Sequence, residues 1–126
     1  MIKSQDYPEQ SPEWVMAKFF DAWDKRNWKM MLRYCQLSWK KLNEHCDLEK
    51  VLLARFRHKL LDVKLLEMID VSEVAKDAYV EIAYSDSAFK KKIRRKIRLV
   101  CEKAPLHPSK DGSWGINPIS MIKARR

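Results

Sequence analysis

Glycine and proline are scarce, with two and five residues in a chain of 126. So few chain-reversing residues leave no glycine-rich phosphate loop and imply long elements joined by few tight turns. Cysteine is equally sparse. The three, Cys35, Cys46 and Cys101, are odd in number and show no C-x-x-C spacing, which argues against a disulfide framework and for a reducing compartment. Paired metal ligands are missing as well. His45 and Cys46 are neighbours, but no second pair answers them, so neither a metal centre nor a cofactor is expected. The catalytic signatures G-x-S-x-G and H-E-x-x-H are absent. No apolar run is long enough for a transmembrane segment, and the opening residues, MIKSQDYPEQ, lack the apolar centre of a secretory leader. These absences point to a cytoplasmic location.

What is present is a folding composition. Hydrophobic residues make up 46% of the chain, five of them tryptophans, which excludes a disordered tail. The length suits one domain. We expect residues 1–10 as a flexible lead, 11–123 as the domain and 124–126 as a basic tail. The net charge of +9 favours anionic partners such as nucleic acid, a membrane surface or an acidic protein. Its ordinary alternative is solubility.

The order of elements follows from caps and periodicity. Ser11 can cap a helix whose first residue is Pro12, and Val15, Met16, Phe19, Ala22 and Trp23 recur at helical spacing. Asn27 can cap a second helix carrying Trp28, Met31, Leu32, Cys35 and Trp39. Asp47 can cap a short third one with Leu48, Val51, Leu52 and Phe56. Beyond His58, β-branched residues and alternation take over. Strands are expected over Leu60–Val71, Asp77–Ser85, Lys91–Glu102 and Ser113–Lys123, the last after the Asp111-Gly112 turn signal. The result is an α+β domain, N-terminal helices on one face of a curved antiparallel meander.

A second helix opening N-W-x-x-M, a short third helix, and strands closing on G-S-W-G-I-N-P-I-S resemble the nuclear transport factor two-like superfamily. This is the cone-shaped, cystatin-like fold that ketosteroid isomerase shares. The resemblance covers Ser11 to Lys123. It implies a compact cone with a pocket at its open end and the possibility of a homodimer. Lys40–Asp47 is too short for the strand pair that many members insert, so the implied likeness is to a shortened accessory domain. No catalytic set of the family can be carried over.

Strand alternation sorts the candidate residues by face. Glu67 and Arg95 fall on the apolar, helix-facing side together with Tyr84. With tight hairpins Glu67 lies opposite Ile82 and Ile82 opposite Arg95, roughly 10 Å across two strand spacings. Arginine can bridge that gap. Glu67, Tyr84 and Arg95 are therefore the pocket candidates, with Glu67 a general base if burial raises its pKa. The competing readings are a structural ion pair, or a bulge at Leu65-Leu66 that turns Glu67 outward. On the opposite face Lys92, Arg94, Lys96 and Arg98, extended by Lys90, Lys91, Lys123, Arg125 and Arg126, form a basic stripe. It is either a nucleic-acid or other anion surface or a solvated face that deters edge pairing. The leading expectation is a non-catalytic module that binds or assembles through protein contacts as a homo-oligomer or with a protein partner. The alternatives are a small-ligand-binding or isomerase-like protein and a basic nucleic-acid-associated protein.

Overall fold

The structure is a computed structural model that describes residues 1–123, and the side chains of residues 1–121. The expected basic tail, with Arg125 and Arg126, lies outside the described residues, as does the side chain of Lys123. The chain runs α1 (Pro12–Asp24), α2 (Trp28–Arg33), α3 (Leu37–Leu42), α4 (Leu48–Arg55), β1 (Lys59–Ser72), β2 (Ala75–Asp86), β3 (Phe89–Ala104), β4 (His107–Pro108), β5 (Ser113–Ile116) and β6 (Ile122–Lys123). It is α+β, with the N-terminal helices on one side of an antiparallel meander.

The three expected caps are present. Ser11 Oγ accepts from Trp14 N at 3.2 Å, Asn27 Oδ1 from Met30 N at 3.0 Å, and Asp47 Oδ1 from Lys50 N at 3.3 Å. Each satisfies an amide that the first helical turn leaves without a partner. The second helix departs from expectation. Its apolar spacing continues through Cys35 to Trp39, yet the chain leaves the helix at Tyr34. Gln36 N donates to Ile116 O at 2.8 Å and Ile116 N to Tyr34 O at 2.9 Å. This short parallel bridge between Cys35 and Ile116 takes the place of helical bonds, and α3 starts afresh. Cys35 and Trp39 are still both buried, so the break keeps the apolar pattern while changing the backbone.

β3 is the spine of the sheet. One edge pairs with β2 in unbroken register from Ala75↔Val100 to Asp86↔Phe89. The other edge takes β6 at Arg95 and Lys96, β5 from Leu99 to Glu102, and β4 at Glu102 and Ala104. The single closing strand expected over 113–123 is therefore two short ones. Asn117 and Pro118 divide them: Pro118 has no amide to give to a ladder, and Asn117 Oδ1 accepts from Ile119 N at 3.0 Å to set a 3-10 turn. β1 is the outer strand, and it carries register shifts at Leu60/Asp62, Leu65/Glu67 and Asp70/Ser72. The N-terminal residues, expected as a loose lead, lie beside β1, with Ile2 N donating to Val63 O at 3.0 Å.

The core fills the space between the two layers. Phe19, Phe20, Trp23, Met31, Leu52 and Phe56 come from the helical layer and pack on Val63, Val80, Ile82, Ile97 and Leu99. Phe56 stands edge-on to Phe19 at 5.6 Å and tilted against Trp23 at 5.0 Å, favourable geometries for aromatic pairs. Cys35 and Cys101 belong to the buried set, whereas Cys46 is exposed. Burial pushes the Cys35 thiol up to about 12, against a smaller lowering by the Lys40 charge. Burial likewise raises Cys101. Only the thiolate attacks a disulfide reagent. In native buffer at pH 8, Ellman's reagent should therefore titrate one thiol per chain, and all three after denaturation. A native stoichiometry of two or more would show that the core opens where this packing says it is closed.

Candidate functional site

At one end of the helical layer a pocket opens over the inner face of β2 and β3. Trp23 comes from the last turn of α1. Arg55 ends α4, Phe56 caps it, and His58 lies on the link into β1. Ile82 and Tyr84 rise from β2, Ile93 and Arg95 from β3, and Met121 completes the lining. The volume is about 200 Å³.

Local structure fixes this wall. Trp23 Nε1 donates to His58 O at 2.9 Å, tying the end of α1 to the strand entry. The His58 ring lies tilted against Tyr84 at 5.1 Å. Trp23 and Phe56 are almost fully buried. Ile82 and Ile93 are cross-strand partners and form the floor. Arg55 Nε donates to Pro118 O at 2.9 Å, and Arg95 Nη1 to Arg94 O at 2.9 Å. Each guanidinium has five N–H donors, so these single anchors leave both able to grip a further acceptor. Among the described residues no carboxylate lines the pocket. The acid next to its wall, Asp86, faces His58 Nδ1 at 3.8 Å and Lys91 Nζ at 3.3 Å.

Of the three residues expected here, Tyr84 and Arg95 meet and Glu67 does not. The register shift between Leu65 and Glu67 gives β1 one extra residue against Val80-Tyr79. Such a bulge moves the following side chain to the other face. Glu67 thus pairs with Tyr79, not Ile82, and sits half-buried on the side away from the helices. Arg95 pairs with Val80, and Ile82 with Ile93. The expected Glu67–Arg95 pairing across the inner face is corrected accordingly. The sequence pointed to the strands but not to the α4–β1 link. Arg55, Phe56 and His58 reach the pocket only because the chain turns from helix into sheet there.

The basic stripe assembles as alternation requires, with Lys92, Arg94, Lys96 and Arg98 sharing the outer face. Acids from β2 stand beside three of them. Glu81 lies 3.9 Å from Lys92 and 3.7 Å from Arg94. Asp77 accepts from Arg98 Nε at 2.5 Å and from Nη2 at 3.3 Å, a two-pronged geometry that guanidinium and carboxylate favour. The hydrogen bonds to Asp77, ahead of the cost of burial, raise the Arg98 pKa. Lys96 lies between Tyr79 and Ile122 in register. The stripe is one column of a mixed-charge face. Phe89 at its end is 71% exposed, a lone aromatic at the hairpin. Among the described residues no three or more His, Cys, Asp or Glu side chains gather as a metal site would need. No described helix is long and apolar enough to cross a membrane.

This arrangement of helices and sheet is similar to that of SEC-C motif containing proteins. A crystal structure from Psychrobacter arcticus superposes with a TM-score of 0.67 at 10% identity, over 92% of this chain and 63% of that one. A solution structure from Rhodopseudomonas palustris does so at 0.63 and 10% identity, over 90% of this chain and 80% of that one. This chain thus spans less than two thirds of the Psychrobacter protein, and at such identity the likeness is one of fold. No protein-family model matches the chain, and no curated protein matches it. These neighbours correct the resemblance to the nuclear transport factor two-like superfamily. The motifs that carried it also fold otherwise than expected. N-W-x-x-M opens a helix of only six residues, and G-S-W-G-I-N-P-I-S is a four-residue strand followed by a 3-10 turn.

Proposed function

We propose that this chain is a non-catalytic binding domain whose site is the pocket between Trp23, Phe56, Tyr84 and Arg95. The observation that carries this reading is a preformed concave wall of ring side chains from three separate parts of the chain. Small-ligand sites are typically concave, apolar and already shaped, with few polar groups to fix orientation. In the isomerase-like alternative the general base is Glu67. Glu67 is on the other side of the sheet, which supports binding over an isomerase-like role. Assembly through the sheet draws less support. Its outer face alternates charge instead of offering a flat apolar patch, and the outer strand is bent by three register shifts, a feature that discourages edge pairing. Nucleic-acid binding through the stripe is weakened in the same way, since cations already beside acids release fewer counterions.

The test is a fragment titration followed by amide and indole NMR. The Trp23 indole N–H, held on His58 O, is the reporter. Single-ring fragments should shift it and the Ile82, Tyr84 and Ile93 amides together. Ile93→Trp, which fills the floor, should remove the response while leaving the rest of the spectrum in place. Fragments that bind equally well to Ile93→Trp would refute the site.

A further inference from the structure

We infer that the pocket takes an oxyanion carried on a single planar ring, of the aromatic carboxylate or aryl phosphate kind. This rests on the binding-domain reading above and adds the charge and size of the ligand. The argument begins with a contrast inside the molecule. On the outer face of the sheet, cations stand beside acids: Arg98 with Asp77, and Arg94 and Lys92 with Glu81. In the pocket, Arg55 and Arg95 share a wall with His58, and no carboxylate among the described residues lines it or pairs with either arginine. The exposed Arg55 and the half-buried Arg95 are like charges on one concave wall, and they repel each other to the extent that solvent does not screen them. A bound anion relieves that repulsion.

The chemistry of the two groups narrows the class. A guanidinium presents a rigid planar fork that matches carboxylate and phosphate oxygens. Backbone carbonyls anchor each arginine by one nitrogen, Arg55 on Pro118 and Arg95 on Arg94, which restricts the forks before any ligand arrives. Beside them the half-buried Tyr84, Ile93 and Met121 present apolar surface to the pocket, backed by the buried Trp23, Phe56 and Ile82. An inorganic anion would leave those surfaces uncovered, and a neutral ring would leave the guanidiniums without an acceptor. The volume of about 200 Å³ falls below the roughly 300–1,000 Å³ that hold drug-sized ligands, so one ring fills it.

The experiment uses benzoate, phenyl phosphate, benzamide and inorganic phosphate, titrated by Trp23 indole NMR or calorimetry into the full chain and into Arg95→Gln and Arg55→Gln. Benzoate or phenyl phosphate should bind at least tenfold more tightly than benzamide, and the tighter of the two identifies the oxyanion. The charged-to-neutral ratio should fall several-fold in each variant. That ratio is insensitive to a general loosening of the fold, which would weaken benzamide too. Equal binding of benzamide would overturn the oxyanion inference and leave the binding-domain reading standing. Inorganic phosphate matching phenyl phosphate would overturn the planar-ring part. Absence of binding by every ring compound would overturn both readings.

Discussion

Glu102→Ala is expected to lower the unfolding free energy by about 3 kcal/mol, because it strands buried donors. Glu102 is 2% exposed, near the C-terminal end of the sheet's spine. Its carboxylate reaches α3 and accepts from Ser38 N at 3.1 Å and from Ser38 Oγ. Ser38 Oγ in turn accepts from Leu106 N at 2.8 Å. One side chain thus joins the start of a helix, a strand and the turn that follows it. α3 needs this partner: its preceding residue, Gln36, makes no side-chain cap, and a helix start favours an acceptor of negative character. Alanine would leave Ser38's amide and hydroxyl without acceptors in a place water does not reach. Glu102→Gln keeps one carbonyl acceptor but sets an amide group where a second acceptor stood, so its loss should be about half as large. Urea unfolding with an unchanged slope would report these differences as stability alone. A Glu102→Ala variant within about 0.5 kcal/mol of the parent, the range typical of surface substitutions, would show that the Ser38 contact contributes nothing.

The parts of the fold legible in the sequence are those that local chemistry decides. Ser11, Asn27 and Asp47 cap their helices because the capping bond spans only three residues. The inner face of β2 and β3 follows from alternation, and Tyr84 and Arg95 reach the pocket for that reason. What escaped depends on distant partners. The helix break at Tyr34 is made by Ile116, far along the chain, through two backbone bonds. The placement of Glu67 is half legible: Leu65-Leu66 offers two apolar side chains where alternation wants one, so the bulge that turns Glu67 outward stands as an alternative, but the pattern alone fits either face. The Ser38–Glu102 contact links residues 64 apart, beyond any local signal. Arg55 and His58 carried none either; a charged helix end and a strand entry read as surface, and Arg55 stays exposed while lining the pocket.

Gly115→Ala is the second substitution with a large expected cost, and its reason is space, not backbone freedom. Gly115 has no positive φ. It is buried in β5, opposite Val100 of the spine. A β-carbon there would stand 2.7 Å from Gln36 Cα, 2.9 Å from Gln36 N and 3.0 Å from the Cys35 carbonyl carbon. These are backbone atoms, so no rotamer change relieves the clash. The neighbouring segment is also pinned, by Gln36 N on Ile116 O and by Ile116 N on Tyr34 O. Making room means stretching those two bonds, and overpacking with their weakening should together cost about 3 kcal/mol. Valine should cost more. The effect should extend to the pocket. Pro118, three residues beyond Gly115, supplies the carbonyl that anchors Arg55, so a displaced β5 loosens one of the two guanidiniums. Benzoate binding should then weaken in Gly115→Ala in proportion to the lost Arg55 contribution, with Arg95 retaining its own. A variant as stable as the parent would mean that the bridge between the helical layer and β5 is loose enough to yield. Arg55 could then not be held rigidly from that side.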